Sequence, residues 1–255
     1  MERAVAWSVG RPGDEDAMLN LESATQAYFG RLQQARDLQR RARDSELRNR
    51  LNEVAANTVA MGALREGLLG NVQFSRRDVN AAIATGERVD EIAALTLAIL
   101  GDASRAQKIA DNLAKSHPSD TTVQRLELPV IRASIALISG KTAEAIDALS
   151  NTAPFGTRTH HAVWCLPYWS GLAYLRTGQG TAAIEQFREL LNHREVLSNA
   201  LLLPLAQLGL ARSYVLTGDT AKARTAYQDF LSLWKDADPD IPILKQAKVE
   251  YAKLQ

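Results

Sequence analysis

The chain has one cysteine, Cys165, so no disulfide can form within it, which fits a reducing compartment. Aromatic residues make up only 6% of its 255 positions. Sustained period-two alternation and Asn-Gly or Asp-Gly turns are missing, which leaves no case for β-hairpins or a sheet. No run approaches the roughly 18 apolar residues needed to cross a bilayer. The densest, Ala200–Ala211, is broken by Pro204 and Gln207. The opening Met1–Trp7 carries Glu2 and Arg3 and is too short of apolar residues for a signal peptide. Charge of one sign is lacking as well: 30 Lys and Arg stand against 29 Asp and Glu, so no global field selects nucleic acid or a membrane. The expectation is a soluble, cytoplasmic chain, or the soluble portion of a membrane-anchored one.

What the chain has is helix signal throughout, with Ala and Leu spaced three and four apart between short Gly, Pro and Asp breaks. The breaks recur. Gly101, Gly140, Gly178 and Gly218 are 39, 38 and 40 residues apart, a period in the helical-repeat range. An alanine follows each glycine by five residues (Ala106, Ala145, Ala183, Ala223), and a further four residues on stand Ala110, Leu149, Phe187 and Tyr227. Four residues before the glycines stand Leu97, Ala136, Tyr174 and Tyr214. The glycine ends one helix in a conformation that a β-carbon disfavours. Asp102, Thr142 and Thr220 are the expected caps of the helices that follow. The alanine permits close approach of two antiparallel helices, and the large residue fills the space between hairpins. One hairpin cannot bury its apolar face alone, so neighbours must stack.

Residue by residue, these positions resemble the tetratricopeptide motif. Its small first-helix residue falls on Ala133, Gly171 and Ala211, its aromatic on Tyr174 and Tyr214, and its second-helix alanine on Ala145, Ala183 and Ala223. Pro118 stands where the motif ends in proline. The early tryptophan is absent, and the spacing exceeds the usual period of about 34 residues; Asn151–His161 reads as one longer loop. The resemblance implies an all-α fold, a right-handed superhelical solenoid of antiparallel helix pairs. Residues 1–85 read as divergent N-terminal repeats, 86–237 as the regular repeats and 238–255 as a C-terminal capping helix. Upstream, Gly30 and Ala35 repeat the glycine-to-alanine step, and Asn57–Ala84 reads as a helix pair turning at Gly70-Asn71. Met1 to Gly10 reads as the end of a hairpin already under way, so the array is expected to continue a longer protein. At the other end Leu244, Ala247, Val249 and Tyr251 are expected to cover the last repeat. Open array ends make a homo-oligomer one expected outcome.

The stretches AYFGRLQQARDLQRRA, ILGDASRAQKIADNLAKSHPSDT and LTGDTAKARTAYQDFLSLWKDADPDIPILKQAKVEYAKLQ are similar to the tetratricopeptide tail of bacterial serine/threonine protein kinases. That resemblance implies a sensing or scaffolding tail. It does not imply catalysis, because no glycine-rich phosphate loop, His-Arg-Asp loop or Asp-Phe-Gly triplet is present.

Chemical motifs fail on context. Gly140-Lys141-Thr142 resembles the end of a phosphate loop, yet Ile135 stands where that loop needs its first glycine. Gly178-Gln179-Gly180 follows a helix rather than a strand. His160, His161, Cys165 and His193 lack the spacing of a zinc set, and Cys165 has no base near it in sequence. The basic stretch from Arg31 to Arg50 is relieved by Asp37, Asp44 and Glu46 and reads as a solvated helix face or as charges pairing with a neighbouring repeat. No cofactor, metal or catalytic residue is assigned.

One functional surface remains, the concave side lined by first helices. The motif's groove positions fall on Leu95, Ser134, Tyr168, Leu172, Arg176, Leu208, Arg212 and Val215. Of these, Tyr168, Leu172, Arg176, Leu208, Arg212 and Val215 form the expected partner-binding set. Tyr168, Arg176 and Arg212 lead it, because aromatic and arginine side chains dominate hot spots; Tyr168 serves equally well as packing. Arginines there suit an acidic or carboxylate-terminated peptide. Replacing Arg176 and Arg212 by alanine is expected to weaken capture and leave the melting temperature near its original value. The expected role is a non-catalytic protein-interaction module or scaffold, with a regulatory or sensor C-terminal segment of a bacterial serine/threonine protein kinase or other signalling protein as the alternative.

Overall fold

A computed structural model describes residues 7–8, 10–11, 13–150, 152, 164–197 and 200–255. Among them there is no strand, and six helical hairpins follow one another: α1 (Asp14–Tyr28) with α2 (Leu32–Arg48), α3 (Asn52–Leu68) with α4 (Val72–Ala84), α5 (Asp90–Ile99) with α6 (Ala103–Ser116), α7 (Leu128–Ile138) with α8 (Thr142–Ser150), α9 (Leu166–Arg176) with α10 (Gly180–Asn192), and, after the short α11 (Arg194–Leu197), α12 (Leu202–Leu216) with α13 (Thr220–Leu233). A last helix, α14 (Pro242–Ala252), follows. A π-helical turn, Val123–Glu127, leads into α7. Helices pack within each hairpin, second helices pack on the next first helix, and from α3 onward first helices also pack on one another. That is the stacking of a tetratricopeptide-like helical solenoid.

The local causes match the repeat. At each of the six hairpin turns a glycine has φ between 73° and 86°, which places the chain in the left-handed region that ends a helix. Ala106, Ala145, Ala183 and Ala223 are all 0% exposed. The Phe187 ring is also fully buried. It lies against Gly171 of its own hairpin and Gly209 of the next, and a β-carbon at Gly171 would come within 2.7 Å of it. The caps differ from the sequence expectation in two places. Asp102 caps α6 as expected by accepting from the Arg105 amide at 3.3 Å. For α13 the cap is Asp219, accepting from the Lys222 amide at 3.1 Å, while Thr220 is already helical. Thr142 likewise is the first residue of α8 rather than its cap. Before α13 the acid one residue nearer the glycine, Asp219, is better placed, because the capping residue must itself lie outside the helix.

One buried cluster runs from Ala27 to Ala247, with Leu19, Leu38 and Ala42 forming a small second one. The boundary at 85/86 falls in the α4–α5 connection. The long loop expected at Asn151–His161 and the hairpin end expected from Met1 to Gly10 lie, for the most part, outside the described residues. Helix α14 begins at Pro242, within the expected capping segment 238–255, and buries Leu244 and Ala247. Val249 is 58% exposed, which corrects its expected place in the cover: it is off the Leu244–Ala247–Glu250 face by one residue.

The Trp234–Ile243 segment packs on the turns of the first two hairpins. The Trp234 indole donates to the Tyr28 carbonyl (2.9 Å), and the Asp238 amide donates to the Gly30 carbonyl (3.0 Å). The Gln33 amide donates to the Asp238 carboxylate (2.8 Å), and the Ile243 amide reaches the Leu69 carbonyl (3.3 Å).

Candidate functional site

The first-helix face carries the expected binding residues, in three different states. Tyr168 and Leu208 are buried, at 4% and 1% exposure. Leu172 is half-buried, and Arg176 and Val215 are exposed. Leu95 and Ser134, at earlier groove positions, are buried, and the Ser134 hydroxyl donates back to the Val130 carbonyl at 2.9 Å. Tyr168 packs edge-on against Trp169 and Phe187, with ring centroids 5.3 and 6.3 Å apart. Burial pushes its phenol well above the usual range, while the Arg212 and Arg176 guanidiniums pull the other way. Three of the expected residues, from α9 and α12, thus share one electrostatic neighbourhood.

Arg212 is already engaged. Its guanidinium forms a forked pair with the Glu250 carboxylate of α14 at 2.9 and 3.1 Å, and the Tyr227 hydroxyl donates to the same carboxylate at 2.9 Å. Burial and the Glu250 charge hold the Tyr227 phenol above its ordinary range. This revises the expectation that Arg212 can be removed without loss of stability, since its removal leaves Glu250 half-buried without its cation. Sequence reading did not single out Glu250. The available signal was its spacing of three from Ala247, which puts both on the inward side of α14.

A second ionic set lies in the first two hairpins. Glu66, 2% exposed, receives both arms of Arg36 at 2.8 Å and the Asn71 amide at 2.8 Å. Glu46, fully buried, accepts from Asn20 (2.8 Å) and Thr58 (2.9 Å), and burial raises its carboxyl pKa against those two bonds. The Arg65 guanidinium donates to Ser23 (2.9 Å) and to Gln39, and burial pulls it down to about 10. Residues Arg36 and Glu66 resolve the basic stretch in part as inter-repeat pairing, while Arg40–Asp37 and Arg43–Asp44 pair along their own helix. A signal for Glu66 existed: it stands four residues before Gly70, where later copies carry Leu97, Ala136, Tyr174 or Tyr214.

Other candidates carry no site chemistry. Burial pushes the Cys165 thiol up to about 11, the opposite of an activated nucleophile. Among the described residues no group of three or more His, Cys, Asp or Glu side chains is arranged to hold a metal ion; His160 and His161 lie outside them. Glu127, at the end of the π-helical turn, has its carboxyl raised to about 7 by burial and by Glu91 and Asp120, with Arg88 opposing. No described helix is long and apolar enough to cross a membrane.

Residues 205–237 match the family model described as Tetratricopeptide repeat. The match covers most of α12 and all of α13, and it supports reading the chain as a tetratricopeptide-repeat protein. Arg212 and Val215 lie inside it; Tyr168, Leu172 and Arg176 belong to the preceding hairpin of the same geometry. No curated protein matches the chain.

Proposed function

We propose that this tetratricopeptide-type array is a non-catalytic protein-interaction module that binds an acidic or carboxylate-terminated peptide on its concave face. The observation that supports it is that Arg176 and Arg212, on successive first helices, both act on the buried Tyr168 phenol, their charges opposing the effect of its burial. Arg176 is exposed and forms no ion pair with another described residue. Such a pair offers planar, forked donors to a carboxylate, and Leu172 and Val215 supply apolar contact on either side. The kinase-tail resemblance supports a finer role, regulation of a serine/threonine kinase or other signalling domain.

The test is affinity capture from the source cell, read by mass spectrometry, with wild type beside Arg176→Ala and Arg212→Ala. Each variant is first checked for native helicity. A partner retained by wild type and lost from both variants supports the reading. Partners held equally by all three proteins place the binding surface elsewhere.

A further inference from the structure

The six hairpin turns are built alike, but they do not have the same neighbours. At Gly101, Gly140, Gly178 and Gly218 an added β-carbon would meet nothing within 4 Å. At Gly30 it would lie 2.5 Å from Ala237 and 3.1 Å from the Trp234 ring, and at Gly70 it would lie 3.0 Å from Pro242. Among the described residues, only the turns reached by the Trp234–Ile243 segment are covered. The contact is specific in its polar groups too. The residue preceding α2, Arg31, gives that helix no side-chain cap, and the Asp238 carboxylate takes the role by accepting from the Gln33 amide across 205 positions of sequence. Arg31 lies 3.7 Å from Asp236, and the charges of Asp238 and Asp240 reach Arg36. Acidic chain meets basic turn.

The segment leads directly into α14, whose far end places Glu250 on Arg212. Between these two attachments α14 buries only Leu244 and Ala247. One short helix therefore joins the cover over the first turns to the occupant of a candidate binding residue.

We propose that Trp234–Ile243 is a clasp that holds the array closed and, through α14, keeps Glu250 on Arg212 as an internal stand-in for an acidic ligand. Releasing the clasp opens the array and frees the Arg212 guanidinium. The meaning of a free Arg212 rests on the proposed peptide-binding role; the closure and its link to Glu250 do not.

The experiment needs no ligand. Gly30→Ala and Gly178→Ala carry the same positive-φ penalty, at 74° and 77°, but only the first collides with the clasp. Both are compared with wild type by small-angle scattering and by phenylglyoxal modification of arginine, quantified residue by residue by mass spectrometry. Arg176, exposed in the closed form, is the internal standard. Asp238→Ala is the second variant, in case Gly30→Ala loses helicity by circular dichroism.

The expected result is a larger maximum dimension and faster Arg212 modification relative to Arg176 in Gly30→Ala and Asp238→Ala, with Gly178→Ala unchanged. Unchanged scattering in both clasp variants overturns the clasp. Opening with Arg212 still protected overturns the link through α14. Loss of peptide capture in Arg176→Ala bears on the binding role alone, so the two ideas fail separately.

Discussion

The indole N–H of Trp234 donates to the carbonyl oxygen of Tyr28, 206 residues earlier in the chain, at 2.9 Å. The Trp234 side chain is 2% exposed and lies against Phe230, with ring centroids 4.8 Å apart. A residue of the sixth hairpin thus satisfies a helix-end carbonyl of the first, a group that α1 itself leaves without an intrahelical donor.

Gly171→Ala and Gly209→Ala are each expected to destabilise the protein by about 1–3 kcal/mol, the usual range for overpacking. Alanine gains about 1 kcal/mol of helix propensity at such positions. Here the new methyl would meet edge atoms of the fully buried Phe187 ring, 2.7 Å away at Gly171 and closer still at Gly209. Urea unfolding followed by circular dichroism decides the sign; stabilisation in both variants would mean that the Phe187 ring moves freely.

Arg36→Ala is expected to cost about 2–3 kcal/mol, because it leaves the Glu66 carboxylate buried with only the Asn71 amide. An Arg36→Met, Glu66→Leu pair is expected to recover most of that loss, since the penalty comes from an uncompensated charge rather than from the missing pair. Chemical denaturation of Arg36→Met, Glu66→Leu and the double replacement beside wild type checks this as a thermodynamic cycle.

Glu127 makes stability depend on pH. Its folded pKa of about 7 lies above its ordinary value of 4.5, so the folded state binds the proton more tightly than the unfolded state between those values. Stability is fully present below pH 4.5 and is lost as pH rises towards 7. Because the group is partly solvated, the loss is about 1–2 kcal/mol after screening is allowed for. Glu127→Gln is expected to raise the melting temperature at pH 8 and to leave it unchanged at pH 4; equal shifts at both pH values would remove Glu127 as the cause.

Cys165 is expected to react with a disulfide reagent at pH 8 far more slowly in the native protein than in denaturant. The thiol is buried and raised to about 11, so almost none of it is thiolate. Comparable rates in the two conditions would show that α9 opens readily at its first turn.

The hairpins were legible because their signals are local. A glycine and an alanine five residues on specify a turn and a close helix contact within a span that the chain samples early and often. The Gly30 and Gly70 turns, weaker in pattern, were read for the same reason. Misreadings arose where a local choice was decided by one residue of register, as with Asp219 against Thr220 and with Val249. The binding residues were legible by position but not by state, since Arg212 shows in sequence only that it is an arginine on a first helix.

The amino-acid order by itself determined the helix class, the repeat period, the turns and the small-to-large packing of Gly171 against Phe187, because each is settled by residues within about one repeat. Only the tertiary structure decided that Asp238 caps α2, that Glu66 lies buried on Arg36, that Glu250 occupies Arg212 and that Trp234 closes on Tyr28. The Asp238 and Trp234 contacts span 205 and 206 residues and depend on the accumulated rotation of the stacked hairpins; the Glu66 and Glu250 pairs join residues only 30 and 38 apart, and there the packing of neighbouring helices selects which faces meet.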